Sequence, residues 1–341
     1  MSLSRRTLTS SAATLAAAAS LLGPAARATT ESAELRISYL EGFGFLAALV
    51  ARQRGLIERH AANLGLPGLT VNWLPLRIAA VATDALLAGR LDLICGTVTS
   101  LLVLWDKTNG GAKVLAGLGG QLLTLVTRNP AVRGVADFGP DDRIAVPSLK
   151  QSPHSVLLGI ALEQALGPGA YDRLDPNQQQ MAHTDAVLAV LNPQHQVNSH
   201  FSTLPYMDME LASVTPKIHK VVDLLDIVGG PITTLATYGM GSFFADNPIK
   251  ARAFLMAIDE ANAIIAAEPL NVSRDYIAVT GEKVEPAALT AMITRKGNLY
   301  ATAPLRTHIY AAQMAKTGLI RKMPTDWKEY HVSWLHDRTG S

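Results

Sequence analysis

The stretch LRISYLEGFGFLAALVARQRGLIE, residues 35–58, sets the pattern on which the rest of this chain is built. Its first six residues, Leu35–Leu40, form an apolar run of strand length. A short loop, Glu41–Phe45, leads into Phe45–His60, where apolar residues recur at helical spacing. The sequence therefore predicts a strand, a loop and a helix that ends near Gly55 or shortly after it.

The same alternation of short apolar runs and longer amphipathic runs continues along the chain. Further strands are predicted at Leu69–Leu74, Leu91–Cys95, Lys113–Ala116, Leu122–Thr127, Arg143–Val146, Gln178–Met181, Val197–His200 and Lys217–Asp223. Helices are predicted at Ala79–Ala88, Ser100–Lys107, Val156–Leu166, Asp185–Leu191, Leu204–Ala212, Pro248–Glu268, Val272–Ala278, Pro286–Arg295 and Thr307–Thr317. This rhythm predicts an α/β architecture with largely parallel sheets and a helical C-terminal part.

The rhythm runs once, restarts and ends in helices, which predicts two lobes. The chain is predicted to cross between them at Gly119–Leu123 and Val228–Thr233, which are rich in glycine or marked by proline. Lobe 1 would then comprise residues 29–120 and 233–341, and lobe 2 residues 121–232. Two lobes that move about a hinge predict a ligand cleft between them.

The N-terminal segment has the pattern of an export signal. Arg5 and Arg6 precede the uncharged stretch Thr9–Leu22, and Ala26-Arg27-Ala28 has the small residues of a cleavage site. The uncharged stretch is shorter than the ~20 residues that span a membrane. We interpret residues 1–28 as a twin-arginine-type signal peptide, cleaved after Ala28. An ordinary secretory leader and a disordered basic tail are the alternatives. Export predicts a soluble periplasmic protein.

The net charge limits the partners that the chain can bind, and the cysteine count limits its covalent cross-links. The full chain has a formal charge of +2, and cleavage after Ala28 removes three arginines and no acid, which leaves −1. Neither a nucleic acid nor an anionic membrane is therefore predicted as a partner. Cys95 is the single cysteine, so no internal disulfide forms, and its apolar neighbours predict a buried thiol.

Five stretches carry a resemblance to a known family, and they are spread in order along almost the whole mature sequence. They are ISYLEGFGFLAALVARQRGLIE, ALLAGRLDLICGT, VADFGPDDRIAVPSLKQSPHSVLL, VLAVLNPQHQVNSHFSTLPY and NPIKARAFLMAIDEANAIIAAEP. In this order they resemble the periplasmic substrate-binding proteins of ABC transporters, in the nitrate, taurine and sulfonate (NitT/TauT, SsuA-like) group, which includes thiamine-precursor binders. The resemblance implies a type II periplasmic binding protein fold of two α/β lobes joined by two crossing segments.

The resemblance also implies a function. The protein would be a monomeric solute receptor without enzymatic activity or cofactor, which closes its lobes on a ligand and docks on a membrane permease. Export would use the twin-arginine machinery. The ligand stays open among a sulfonate, taurine, nitrate, an aromatic or heterocyclic acid and a pyrimidine precursor.

Candidate ligand-binding residues follow the predicted strands, because loops at the carboxyl ends of strands face the cleft in such folds. Two phenylalanines and several hydroxyl groups suit a small organic ligand. The alternative is that a phenylalanine here packs in the core and that a threonine caps the next helix. The candidates in lobe 1 are Glu41, Phe43, Gly44, Gly96, Thr97 and Thr99, with Thr233 at the second crossing.

The candidates in lobe 2 are Ser152, His154, Ser155, His200 and Phe201. Ser152 precedes Pro153, a favoured first helical residue, so it is predicted to cap the next helix. His200 stands where the family commonly has an acidic residue. We expect His154→Ala and His200→Ala to weaken solute binding without unfolding the protein.

Other functions stay open at this point. GMGSF, residues 239–243, lacks the last glycine of the G-x-S-x-G nucleophile motif. His183, His195 and His200 match no metal-binding spacing, so no metal site is predicted. The alternatives to a transport receptor are an exported sensor, a binder without a transporter, and an enzyme on the same fold.

Overall fold

A computed structural model describes residues 32–40, 42–76 and 79–341. The predicted signal peptide and Glu41 lie outside these residues. Within them, ten strands form two five-stranded sheets. The first sheet contains β1 (Glu34–Ser38), β2 (Thr70–Leu74), β3 (Leu93–Thr97), β4 (Ala112–Gly119) and β10 (Leu235–Met240). The second contains β5 (Leu123–Thr127), β6 (Ile144–Val146), β7 (Gln178–Gln180), β8 (Ser199–Thr203) and β9 (His219–Asp223).

Helices fill the connections and the C-terminal part of the described chain. Those of the first half are α1 (Leu46–Gln53), α2 (Leu56–Asn63), α3 (Ala79–Leu87), α4 (Val98–Lys107) and α5 (Pro153–Leu166). They are followed by α6 (His183–Leu191), α7 (Tyr206–Leu211), α8 (Leu224–Val228), α9 (Gly241–Asp246) and α10 (Pro248–Ala267). The last are α11 (Pro269–Thr280), α12 (Pro286–Ile293) and α13 (His308–Lys316). None of these helices is both long and apolar enough to cross a membrane.

The two sheets have the same design. The strand order is β2-β1-β3-β10-β4 in the first and β7-β6-β8-β5-β9 in the second. In each sheet one strand runs against its two neighbours, β10 in the first and β5 in the second. Each of these strands is the first one after the chain has crossed from the other sheet. The predicted fold class, two α/β lobes joined by two crossing segments with a helical C-terminal part, is confirmed.

The two crossing segments lie against each other. The backbone N–H of Thr234 in the second crossing donates to the carbonyl of Gly119 in the first, at 3.0 Å. Gly120 N–H in turn donates to the carbonyl of Leu299, at 2.9 Å. Gly119 has a φ of 106°, a backbone conformation that favours glycine. The lobe boundaries given above remain a proposal.

Apolar side chains of both lobes form the core. Trp105, Tyr238 and Phe254 are among its largest fully buried members. Cys95 is buried as predicted, and burial raises the pKa of its thiol to about 12. Such a thiol is inert at neutral pH.

Most predicted elements differ from the structure by a few residues at their ends, and three of these differences have a clear cause. The strand predicted at Leu91–Cys95 runs from Leu93 to Thr97, because its register is set by pairing with β1 and β10. The strand predicted at Val197–His200 runs from Ser199 to Thr203, paired with β5 and β6. The helix predicted over Phe45–His60 breaks at Gly55, where φ is 57°.

Candidate functional site

Two helices begin at the carboxyl ends of strands with a hydroxyl side chain as cap. Thr97 Oγ1 accepts from Ser100 N–H at the start of α4, at 3.1 Å. Ser152 Oγ accepts from Ser155 N–H at the start of α5, at 3.3 Å. The capping interpretation of Ser152 is therefore confirmed. The first turn of α5 places His154 beside this cap.

His154 is buried without using its polar atoms. Its side chain is 7% exposed, and neither ring nitrogen has a hydrogen-bond partner within the described part of the chain. Its ring packs edge-on against Phe201, with centroids 5.5 Å apart. Burial, and then the charge of His200, lowers the pKa of His154 to about 3. The ring is therefore neutral and has one N–H donor and one nitrogen acceptor to offer.

Three more polar side chains continue from His154, and we call all four the histidine cluster: His154, His183, His200 and Glu210. The rings of His154 and His183 lie 5.0 Å apart between centroids. His183 Nδ1 and His200 Nε2 share a hydrogen bond of 2.7 Å, as do His200 Nδ1 and Glu210 Oε1. His200 and Glu210 are fully buried, at 1% and 0% exposed. The Tyr206 ring stacks on His183, 6.1 Å away and 16° from parallel.

A second group of aromatic and acidic side chains lies in the part of the chain assigned by the sequence to lobe 1. Phe43 packs edge-on against Tyr276, with centroids 6.4 Å apart, and the Tyr276 hydroxyl donates to Glu282 at 3.1 Å. Burial raises the pKa of the Tyr206 hydroxyl, and the Glu282 carboxylate raises it further.

A bidentate ion pair also joins the two lobes. Arg295, just after α12, donates from its two terminal nitrogens to the two carboxylate oxygens of Asp208 on α7, at 2.7 and 2.6 Å. The hydrogen bonds to Asp208 raise the pKa of the Arg295 guanidinium. Both side chains are about a third exposed, so solvent weakens the pair. The pair links the segment after α12 to α7, which the proposed boundaries assign to different lobes.

The structure gives three of the predicted lobe 1 residues packing roles. Phe43 is 3% exposed and belongs to the core. A Cβ on Gly44 would lie 2.6 Å from both Gln121 Nε2 and Leu235 Cδ1. A Cβ on Gly96 would lie 2.8 Å from the Tyr238 hydroxyl oxygen. Both glycines therefore make room for side chains of the protein itself.

Three predicted hydroxyl groups are used within the protein. Thr99 is fully buried, and its hydroxyl bonds to that of Thr97 at 3.0 Å. Ser155 Oγ donates to the Ser148 carbonyl at 2.9 Å, and Thr233 Oγ1 accepts from Leu305 N–H at 3.0 Å. Their roles as ligand contacts remain a prediction, but none of these groups is free.

The placement of His200 and Phe201 in a loop is wrong. Both lie inside β8, since the strand extends to Thr203 to pair with β5. Phe201 is fully buried against His154, and His200 faces Glu210 rather than a loop. His200 is therefore enclosed by protein side chains, and its role as a ligand contact remains a prediction.

The partners that complete the site have no signal in the sequence. The sequence groups His183 with His195 and His200, but His195 lies apart, and its Nδ1 accepts from Val197 N–H at 3.0 Å. Glu210 and Tyr206 lie on α7, which follows β8. The family resemblance implies an acidic residue earlier in the chain, at the position of His200. Among the described residues, no group of three or more His, Cys, Asp or Glu has a geometry that could hold a metal ion.

Comparison with solved structures identifies the class of fold to which these two sheets and their helices belong. The fold is that of periplasmic binding proteins, and the expected resemblance is confirmed at that level. No family model matches the chain, and no curated protein sequence matches it.

Similar solved structures include the periplasmic aliphatic sulphonate binding protein SsuA from Escherichia coli, with a TM-score of 0.67 and 17% identity over 89% of this chain and 92% of that one. The alkanesulfonate-binding protein SsuA from Xanthomonas axonopodis pv. citri, bound to MOPS, has a TM-score of 0.63 and 17% identity over 89% and 98% of the two chains. The periplasmic nitrate-binding protein NrtA from Synechocystis PCC 6803 has a TM-score of 0.64 and 15% identity over 87% and 84%.

Proposed function

We propose that this protein is an exported solute-binding receptor of an ABC importer. It binds a small organic or oxyanionic solute between its lobes, closes on it and delivers it to a permease of the inner membrane. The main support for the proposal is His154, a buried imidazole at the N-terminus of α5 whose two nitrogens have no hydrogen-bond partner among the described residues. Buried polar atoms in proteins are nearly always hydrogen-bonded, and a bound solute would satisfy these.

The fold supports binding without chemical turnover. The similar structures named above are sulfonate- and nitrate-binding proteins, and they share the fold of this chain over 84–98% of their own lengths. In this proposal the mature protein is a periplasmic monomer, which is exported by the twin-arginine route and cleaved after Ala28. Of the residues predicted from sequence, we retain His154 as the direct ligand contact and add His183 and Tyr206.

The direct test is a thermal-shift screen of the purified protein against alkanesulfonates, taurine, nitrate, aromatic carboxylates and pyrimidines. A solute that binds only the native state adds about 2.7 kcal/mol of stability at a hundredfold excess over Kd. We expect one chemical class to raise the melting temperature, and calorimetric titration to show binding without consumption of the solute.

Two phenylalanine variants act as a matched pair in this screen. His154→Phe removes both ring nitrogens and keeps a planar ring against Phe201, so solute binding should be lost. His308→Phe changes an exposed histidine at the start of α13 and should bind as the original protein does. Equal binding by both variants, or turnover of a solute, would contradict the proposal.

Closure of the lobes gives a separate prediction on Arg295. Arg295→Gln removes the bidentate pair with Asp208, which should weaken solute binding about fivefold, since such a pair contributes about 1 kcal/mol. Small-angle scattering should show a larger radius of gyration for the solute-free variant.

Arg338 supplies the control for this test. Its bidentate pair with Asp259, at 2.7 Å for both hydrogen bonds, lies within the C-terminal part of the chain after the second crossing. Arg338→Gln removes a pair of similar geometry and exposure without touching α7. If both variants change affinity equally, the Arg295 pair does not hold the lobes closed.

A further inference from the structure

Glu210 on α7 is a fully buried carboxyl group whose charge must be balanced locally. Its side chain is 0% exposed, and Oε2 has no hydrogen-bond partner within the described ranges. Oε1 lies 2.7 Å from His200 Nδ1, and this is its ion pair among the described residues. An isolated buried carboxylate is strongly unfavourable, so the Glu210–His200 pair should hold one additional proton and be neutral overall.

The position of that proton does not change what His200 presents on its far side. If Glu210 is ionised, His200 carries hydrogens on both ring nitrogens. If Glu210 is protonated, its hydrogen lies on Oε1, because Oε2 has no acceptor among the described residues. Glu210 then donates to His200 Nδ1, and the neutral ring carries its hydrogen on Nε2. In both cases His200 Nε2 carries a hydrogen. It must therefore donate to His183 Nδ1, which lies 2.7 Å away.

The hydrogen bond from His200 decides which nitrogen of His183 carries the ring hydrogen. Because Nδ1 accepts a hydrogen bond, a neutral His183 ring has its hydrogen on Nε2. Nε2 makes no hydrogen bond within the described part of the chain, and the side chain is partly exposed. The stacked ring of Tyr206 holds the imidazole in place.

We propose that Glu210 is a positioning residue that acts through His200 to fix His183 as a hydrogen-bond donor toward the solute. This inference rests on the proposed function and adds the kind of group that the site recognises. The solute presents an acceptor atom to His183, such as a carbonyl oxygen, a ring nitrogen or an acid oxygen. A solute whose facing group has only N–H donors is disfavoured.

The surroundings of the pair agree with this assignment. Burial, and then the charges of His154 and His200, lowers the pKa of His183 well below its ordinary value, so the extra proton does not reside there. The titratable groups near the pair are His154 on α5, His183 on α6 and Tyr206 on α7. On either side of His200 in the sheet, β5 and β6 place Val126 and Ala145, which do not titrate.

The deciding experiment is nitrogen-15 NMR of the histidine side chains in the full protein at pH 7, without solute. Signals are assigned by single histidine substitutions. We expect His183 to carry its hydrogen on Nε2 with a bare Nδ1, and His200 to carry a hydrogen on Nε2. A hydrogen on His183 Nδ1 would overturn the proposal, whatever the solute screen finds.

A variant at Glu210 tests the positioning role itself. Glu210→Gln keeps the size of the side chain, but its amide can present either an oxygen or a nitrogen to His200. We expect His183 to become a mixture of its two tautomers. Glu163→Gln, which changes a glutamate paired with Lys316 outside the cluster, should leave the spectrum unchanged.

An unchanged His183 spectrum in Glu210→Gln would overturn the role of Glu210. If that variant does not fold, the spectrum of the original protein still decides the donor assignment. In thermal-shift measurements, benzoate and uracil offer acceptor oxygens, whereas benzylammonium offers only N–H donors. Stabilisation by benzylammonium alone would also overturn the proposal. Failure of all solutes in the screen would count against the receptor function and not against the tautomer.

Discussion

Replacing His200 with alanine is expected to lower the free energy of unfolding by about 3–5 kcal/mol, because it strands a buried carboxyl group. Glu210 would lose the imidazole 2.7 Å away, and its other oxygen has no partner among the described residues. Urea denaturation followed by circular dichroism measures the loss. The structure thus revises the sequence-based expectation that His200→Ala affects binding alone.

A double substitution separates the stranded charge from the lost packing. In the His200→Ala background, Glu210→Gln replaces the unpaired acid by a neutral amide and should restore part of the stability. His308→Ala, at an exposed position, should change the unfolding free energy by less than about 0.5 kcal/mol. If the double variant is less stable than His200→Ala, the carboxyl group is not the source of the instability.

Gly120→Ala is expected to destabilise the protein by about 3 kcal/mol, the upper end of ordinary overpacking. A Cβ at this position would lie 1.9 Å from the carbonyl oxygen of Ile232, in the other crossing segment. The Ile232 oxygen belongs to the backbone, and Gly120 is held by backbone hydrogen bonds in both directions with Leu299, so the two segments do not separate easily. The loss should be visible in urea denaturation, and the lobes should also change their relative angle in small-angle scattering.

Gly134→Ala is the matched control for that experiment. A Cβ there would meet Asp137 Oδ2 at 3.8 Å, which is ordinary van der Waals contact. The backbone φ of −147° suits any residue. Similar destabilisation by both substitutions would show that the contact between the crossing segments is not what makes Gly120 necessary.

The fold was predictable from sequence where its signals are local. Apolar runs and helical spacing located most strands and helices, and Ser152-Pro153 located the start of α5. The ends of β3 and β8 were not predictable, because their registers depend on strands distant in sequence. The local pattern therefore places His200 at the end of a strand, although it lies inside β8.

The site was predictable only in part for the same reason. His154 follows a helix cap and was found from the local pattern around it. His183, His200 and Glu210 lie on α6, β8 and α7, and they meet only because β8 packs between β6 and β5. Their contacts depend on strand order, which no spacing of histidines along the chain reports.

The placement of β10 has a consequence for the order in which the protein matures during synthesis. This strand lies between β3 and β4 and pairs with both, yet it follows the whole second sheet in the chain. A growing chain can therefore complete the second sheet, β5 to β9, before β10, which pairs with both β3 and β4, has been synthesised. We infer that the middle of the polypeptide becomes protease-resistant before the segment that precedes it.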